Sequence, residues 1–270
     1  MEITSLPKAT FYQPDNDIKW IVRKFETIKH DGPSQIFSDK FIPRPDIALV
    51  FNFKNIPQVL MQDDLKLKPF FIATIPVKHF VLSISGQIDS FIVVCKATVF
   101  SKIFKINMAN TIPIIDIRDK NLQELGQIIL QQKSDAERIQ CFSDFINGLF
   151  DAEYKPDNID NVYDRILGNS TIIPLQEMIE DVFQSKSSLQ RNFLKRTGVS
   201  MKKMTRIARV HFLIESILKK KQISFKNLFS ESVYYDQSHF VRDFKELTGM
   251  SPRQFFRENT ELQKMISGLE

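Results

Sequence analysis

The sequence is poor in the residues from which catalytic and cofactor sites are usually built. Its eight glycines form neither a dinucleotide-binding fingerprint nor a phosphate-binding loop, and no Gly-x-Ser-x-Gly elbow occurs. The four histidines are scattered, and none lies at metal-ligand spacing from a cysteine or a carboxylate. We therefore expect no catalytic residue, no metal and no cofactor, and the chain is not predicted to be an enzyme.

Cysteines and long apolar runs are also scarce. The two cysteines, Cys95 and Cys141, lie in apolar contexts, which predicts buried thiols in a reducing compartment rather than a disulfide framework. No run of 18 apolar residues occurs, and Met1 to Thr10 lack the basic-then-apolar pattern of a signal peptide. The sequence thus predicts a cytoplasmic protein without contact to a membrane.

The 270 residues change their apolar period part-way along the chain. Residues 1–120 hold short runs of β-branched and aromatic residues, which predicts a β-rich barrel or sandwich. The predicted strands lie at 47–53, 70–77, 80–84, 88–95 and 99–106, with Pro43, Pro45, Pro57, Pro69 and Pro76 at strand edges or in loops. Helical spacing follows in a linker region, 121–157, and in an all-α domain, 158–262. The predicted fold class is therefore α+β.

Positive charge is concentrated in the helical part. Residues 1–159 hold 19 basic and 19 acidic residues, whereas residues 160–270 hold 18 basic and 13 acidic residues. The stretch from Lys186 to Lys226 has 12 basic residues and one acid, Glu215. Such asymmetry favours a polyanionic partner, although a solvated helical surface would give the same count.

A weak internal repeat lies inside the basic part. Eight residues of a 21-residue window recur 51 positions later, with the pairs Glu180/Glu231, Val182/Val233, Ser187/Ser238, Arg191/Arg242, Phe193/Phe244, Thr197/Thr248, Gly198/Gly249 and Ser200/Ser251. In each copy a short helix precedes a turn and a second helix, which Ser185 or Asp236 caps and a glycine ends. This predicts two helix-turn-helix motifs, at about 174–197 and 225–247, joined by a connector helix over 201–220.

The second helix of each motif has a polar face that suits DNA. The candidates for base contact are Lys186, Ser187, Gln190, Arg191, Gln237, Ser238, His239 and Arg242, because arginine matches guanine and glutamine matches adenine in the major groove. The candidates for phosphate contact are Ser185, Lys195, Arg196, Lys202, Lys203, Lys245 and Arg253. A connector of about 30 Å approaches the pitch of one DNA turn, so both helices are expected on one side of the duplex.

These residues resemble the AraC/XylS family of transcription regulators. The segments Tyr234 to Lys245 and Thr248 to Phe255 closely follow the C-terminal signature of that family, and the likeness covers about residues 160–260. The resemblance implies seven helices with two recognition helices in adjacent major grooves of double-stranded DNA. It also implies RNA polymerase and a small-molecule effector as candidate partners, with a monomer or a homodimer left open.

Two further features qualify the resemblance. The segment Phe41 to Phe53 resembles an uncharacterised class of N-terminal domains, and such domains in the family often sense a small molecule or mediate dimerisation. The family usually has glycine in the turn before the second recognition helix, where this chain has Val233, and the first copy has Val182 at the matching position. Those valines support an alternative, in which a ligand-binding or enzymatic N-terminal domain precedes a degenerate helical domain that no longer binds DNA. A protein-interaction scaffold has no positive support.

Overall fold

The structure is a computed structural model that describes residues 6–32, 36–60, 67–109, 114–115, 117–149, 154–169, 173–219, 237–257 and 261–268. Its strands are β1 (Lys8–Tyr12), β2 (Val22–His30), β3 (Ile36–Phe41), β4 (Ile47–Asn52), β5 (Gln58–Leu60), β6 (Phe70–Ala73), β7 (Phe80–Ser85), β8 (Ile88–Cys95) and β9 (Ile114–Ile115). Its helices are α1 (Ala97–Ile103), α2 (Lys120–Leu130), α3 (Asp135–Gly148), α4 (Asn158–Asn169), α5 (Leu175–Met178), α6 (Lys186–Thr197), α7 (Met201–Lys219), α8 (Gln237–Thr248), α9 (Pro252–Arg257) and α10 (Glu261–Ile266).

The strands form two antiparallel sheets. The larger sheet has the order β1-β2-β8-β4-β6-β9, and the smaller has the order β3-β7-β5. No strand pair joins the two sheets within the described ranges, so the domain is a sandwich rather than a closed barrel. This confirms the β-rich N-terminal part followed by helices that the sequence predicts.

Both faces of the larger sheet are covered. Side chains alternate along each strand, so one set faces the smaller sheet and the other set faces helices. On β4, Ala48 and Val50 face the smaller sheet, whereas Leu49 and Phe51 face a layer of helices. The helical layer includes α3, whose Phe142 ring meets the ring of Phe25 edge to face at 6.1 Å.

The apolar core on the helical side continues without a break into the C-terminal helices. It extends from Phe91 in β8 through Phe100 in α1 to Phe193 in α6 and Phe244 in α8, all fully buried. Tyr163 of α4 is also fully buried, and its hydroxyl lies 2.6 Å from an oxygen of Asp46 in the loop before β4. One core therefore stabilises both parts of the chain, at about 25 cal/mol for each Å² of apolar surface removed from water.

Two features of the N-terminal part differ from the sequence prediction. The predicted strand 99–106 is wrong, since Ala97–Ile103 form α1, of which the first five residues are buried. Periodicity alone does not separate helix from strand in a short apolar run. Cys95 is buried as predicted, whereas Cys141 is only half-buried. No described helix has the length and apolar character needed to cross a membrane.

Candidate nucleic-acid interface

The first recognition helix, α6, has the start and the end that the sequence predicts. The Ser185 hydroxyl accepts a hydrogen bond from the Ser188 amide at 3.3 Å, which satisfies one free donor of the first turn. Gly198 ends the helix with a φ of +79°, in the left-handed region that favours glycine. Leu189 and Phe193 are buried beneath it, and the opposite face exposes Lys186, Ser187, Gln190, Arg191 and Lys195.

The second recognition helix, α8, repeats this arrangement. Phe240, Phe244 and Leu247 are buried, and the outer face exposes Gln237, Ser238, His239, Arg242 and Lys245. Gly249 follows the helix with a φ of +75°. The predicted cap Asp236 and the first helix of this motif, with Val233, lie outside the described residues. All eight candidates for base contact are therefore exposed on two equivalent helices.

A threonine makes the same pair of hydrogen bonds at the end of both helices. The sequence repeat shows only that the two threonines are identical. The hydroxyl of Thr197 lies 2.9 Å from the Phe193 carbonyl and 2.8 Å from the Val199 carbonyl. The hydroxyl of Thr248 lies 2.9 Å from the Phe244 carbonyl and 3.0 Å from the Met250 carbonyl. Both threonines are fully buried. The 51-residue repeat is thus a repeat of three-dimensional structure, down to single hydrogen bonds.

Two of the seven candidates for phosphate contact are engaged within the protein. The guanidinium of Arg196 reaches Asp157 at 2.8 Å and Asp160 at 2.5 Å, and its side chain is only 14% exposed. The Lys203 ammonium lies 2.5 Å from Glu246 with 15% exposure. Their prediction as phosphate contacts is corrected, because sequence spacing does not reveal a carboxylate partner distant in the chain. The others, Ser185, Lys195, Lys202, Lys245 and Arg253, are exposed.

Ion pairs also fix α8 against the connector helix. Arg206 of α7 lies 2.6 Å from Asp243 and 2.5 Å from Glu246. Although burial opposes the shift, hydrogen bonds from Lys203 and Arg206 hold the pKa of the Glu246 carboxyl below its ordinary value. These pairs lie on the inner side of α8, so they orient the helix without occupying its outer face.

The turn before α6 tolerates valine. Lys105 is the only non-glycine residue with positive φ in the described ranges, so Val182 adopts an ordinary backbone conformation. The turn closes through hydrogen bonds from the Val182 amide to the Ile179 carbonyl at 3.2 Å and from the Gln184 amide to the Val182 carbonyl at 2.7 Å. Val182 therefore gives no support to a degenerate first motif.

Sequence reasoning missed one exposed side chain in this turn. Phe183 lies beside the N-terminus of α6 and is fully exposed. From the sequence alone, the many phenylalanines are expected to fill the core. A solvated phenylalanine next to a DNA-facing helix can contact the methyl group of thymine. The sequence does not indicate that Phe183 is exposed, because its position is not one of the eight repeated residues.

Gly198 allows a close approach between α6 and the N-terminal part. A Cβ atom on this residue would lie 2.9 Å from the Met108 carbonyl oxygen. We expect Gly198→Ala to lower the free energy of unfolding by about 1–2 kcal/mol, the cost of a left-handed conformation with a side chain. Urea denaturation measures this loss.

A matched control exists at the end of α3. Gly148 has open space at the Cβ position and an ordinary φ, so Gly148→Ala should be neutral or stabilising by about 0.4–1 kcal/mol. Equal effects of the two substitutions would contradict the role assigned to Gly198.

No group of three or more potential metal ligands occurs among the residues that the structure describes. Two of the cavities formed by the described residues are large enough to consider as ligand sites. A polar cleft of about 750 Å³ lies between the larger sheet and the helices α4 and α7. An apolar cavity of about 80 Å³ lies between the two sheets.

The helical part matches a known family. Residues 179–258 match a family model described as a helix-turn-helix domain. The match covers α6, α7, α8 and α9, so the exposed faces of both helices lie within the residues that match the helix-turn-helix domain.

The sheets match a second family. Residues 10–112 match a family model described as a domain of unknown function, DUF6597. The sandwich is thus similar to an uncharacterised class of domains, in line with the resemblance of the segment Phe41 to Phe53.

Solved structures of ToxT from Vibrio cholerae are similar to the chain as a whole. One ToxT structure has a TM-score of 0.47 and 11% identity, covering 94% of this chain and 98% of that chain. A second ToxT structure, from strain O395, has a TM-score of 0.46 and 12% identity, covering 86% and 97%. Wild-type ToxT bound to an unsaturated fatty acid has a TM-score of 0.45 and 12% identity, covering 99% of each chain. No curated protein matches the sequence.

Proposed function

We propose that this protein is a sequence-specific, DNA-binding transcription regulator whose helices α6 and α8 read adjacent major grooves. The observation that carries the proposal is the equivalence of the two helices. Each buries phenylalanine on one face and exposes serine and arginine on the other, at positions 51 residues apart, and each also exposes a glutamine. Arginine on guanine and glutamine on adenine are the geometrically natural contacts for such faces. As a bacterial-type regulator of this kind, it would act in the cytoplasm.

Phosphate contacts would come from the exposed cations around the recognition helices. Lys195 and Lys202 flank the end of α6, while Lys245 and Arg253 flank the end of α8. Each phosphate neutralised by such a side chain releases counterions, so the affinity should fall steeply with salt. Salt dependence therefore separates DNA binding from adventitious association.

The test is selection of genomic DNA fragments by the purified full-length protein. We expect a motif with two contact blocks about one helical turn apart, because two recognition helices in one chain read two half-sites. Salt-sensitive binding without any enriched motif would reduce the function to backbone binding. Absence of binding to every fragment at low salt would instead favour the alternative, a ligand-binding or enzymatic protein with a degenerate helical domain.

The regulator would respond to a ligand held between the two sheets. The cavity there is lined by Ile28 and Ile92 of the larger sheet and by Phe41 and Leu82 of the smaller sheet. Among the described residues its one charged lining side chain, Arg44, donates to Glu26 at 2.8 and 3.0 Å. Because that charge is already paired within the protein, the cavity suits a small, neutral and largely apolar molecule.

The polar cleft fits an effector less well. Its cations are bound to carboxylates within the protein, since Arg23 lies 3.0 Å and Lys96 lies 3.1 Å from Asp164. Lys24 lies 3.3 Å from Glu26. A charged ligand would therefore have to replace existing ion pairs, which offsets most of its gain.

Thermal unfolding with a panel of small neutral apolar molecules tests the effector site. A true ligand at about 100 times its Kd should stabilise the native chain by about 2.7 kcal/mol. Ala73 lines the cavity, so Ala73→Leu should fill it and abolish the stabilisation. Ala9→Leu on the outer strand β1 adds the same atoms elsewhere and should leave the stabilisation intact. Equal stabilisation of wild type and Ala73→Leu would exclude this cavity as the site.

A further inference from the structure

The last described helix, α10, leaves the helix-turn-helix domain and packs onto the sandwich. Leu262 and Met265 contact the cluster of buried side chains between the sheets, which is formed by Ile28, Phe37, Ala48, Ile84, Ile88, Ile92 and Val94. Three members of that cluster, Ile28, Ile84 and Ile92, also line the apolar cavity. The end of the chain therefore shares a core with the N-terminal domain.

The residues after α10 are held against the sandwich by hydrogen bonds. The Ile42 amide donates to the Ser267 hydroxyl at 2.7 Å, and the Lys24 ammonium donates to the Gly268 carbonyl at 2.9 Å. Gly268 has a φ of +65°, and a Cβ atom there would lie 2.6 Å from the Arg44 guanidinium. Ser267 is fully buried. This segment therefore docks at a specific site on the sandwich and is not held there by apolar contact alone.

The same segment also forms a hydrogen bond with the C-terminal end of the second recognition helix, α8. The buried Gln263 side chain donates to the Thr248 carbonyl at 2.9 Å, at the last residue of α8. The sandwich reaches this helix end directly as well, since Lys40 donates to the Gly249 carbonyl at 3.1 Å. A ring nitrogen of His79 lies 2.9 Å from the Glu246 carbonyl. The last carbonyls of a helix have no partner within the helix, so these groups cap α8 from outside its own domain.

We propose that residues 261–268 form a latch that joins the C-terminal end of α8 to the sandwich. The sandwich would then set the position of α8, and release of the latch would free that helix to move relative to α6. The expectation that this movement alters operator binding rests on the proposed function, whereas the contact between residues 261–268 and the sandwich does not. A ligand between the sheets would act on the latch through the cluster that both share.

The latch has the modest strength that a releasable contact needs. It inserts two apolar side chains, Leu262 and Met265, which are only partly buried. The side-chain carbonyl oxygen of Gln263 is buried without a partner among the described residues, which opposes docking of the segment. These opposing contributions leave a small net stability, so a bound ligand can shift the equilibrium.

Hydrogen exchange on the full-length protein, without DNA, tests the latch. Met265→Asp places a carboxylate in the shared core and should release the segment. We expect amide exchange to accelerate at least tenfold in peptides covering 36–42 and the C-terminal half of α8, with α6 unchanged. Ile128→Asp, which places the same carboxylate on an exposed apolar position of α2, is the control and should leave both regions as in the wild type. Acceleration confined to 261–268 would overturn the proposal.

A second variant covers the case in which Met265→Asp unfolds the whole chain. Gln263→Ala removes only the hydrogen bond to the Thr248 carbonyl. We expect several-fold faster exchange in peptides covering 244–250 and continued protection of 36–42, because the segment stays seated. Wild-type exchange in 244–250 would show that the latch does not hold α8. Neither readout depends on DNA binding, so failure of the proposed regulator function would leave this result standing.

Discussion

Arg191→Ala combined with Arg242→Ala is expected to weaken binding to the selected operator by about 30-fold to 10⁴-fold. Each arginine is exposed on the outer face of its recognition helix, where a bidentate contact to guanine is worth about 1–3 kcal/mol. The two positions lie on separate helices, so their losses should nearly add, to about 2–6 kcal/mol. Fluorescence anisotropy with a labelled operator at fixed salt measures the change.

The control for this pair removes the same charge elsewhere. Arg118 and Lys120 are exposed near the start of α2, and their double alanine variant should bind the operator within about threefold of the wild type. The circular dichroism of both double variants should match the wild type, because none of the four side chains is buried. Operator affinity that survives the loss of Arg191 and Arg242 would disprove base reading by these faces.

Arg196→Met is expected to destabilise the protein by about 3 kcal/mol, because the buried carboxylate of Asp160 loses its nearest cation. That carboxylate keeps the Tyr154 hydroxyl, at 2.6 Å, and the more distant Lys102 ammonium, at 3.8 Å. Asp160 is only 2% exposed and receives the Arg196 guanidinium at 2.5 Å. Urea denaturation at pH 7 measures the loss. The neighbouring Lys195→Met provides the contrast, since Lys195 is exposed on α6. That variant should keep its stability and lower the salt slope of DNA binding by about 0.9.

The pH dependence of this destabilisation has a definite sign. Although burial opposes the shift, hydrogen bonds from Lys102 and Arg196 lower the pKa of the Asp157 carboxyl. A carboxyl with a lowered pKa in the folded state stabilises the fold above its unfolded pKa, about 3.9, and loses that contribution as the pH falls. The difference between wild type and Arg196→Met should therefore be largest near neutral pH and shrink below about pH 4. A difference independent of pH would contradict the ion pair.

The recognition helices are predictable because their signals are local. Ser185 and Gly198 bound α6 through contacts with the helix's own backbone, and Gly249 follows α8 as Gly198 follows α6. The prolines are equally informative: Pro57 and Pro69 each directly precede a strand, at the positions expected from a residue that cannot donate a ladder hydrogen bond. Sequence pattern therefore locates the faces proposed to meet DNA.

Contacts between distant residues are not predictable from the sequence. Pattern misses β2 because its charged side chains obscure its alternation, although Glu26 is buried and paired with Arg44. The prediction of Arg196 as a phosphate contact fails because nothing near it in the sequence reveals Asp160, 36 positions earlier. The seat of α10 on the sandwich depends likewise on partners more than 200 residues apart, such as Ile42 and Ser267.

The uninterrupted core from Phe91 to Phe244 has a consequence for how the protein responds to heat. Two units that share an apolar interior cannot lose one packed structure and keep the other intact, so the chain should melt in a single cooperative transition. Calorimetry would then record one peak, and its calorimetric enthalpy would equal the van't Hoff enthalpy. A molecule that binds only the sandwich would still raise the melting temperature of the recognition helices. Ligands of the sandwich can therefore be sought by thermal melting alone, without DNA.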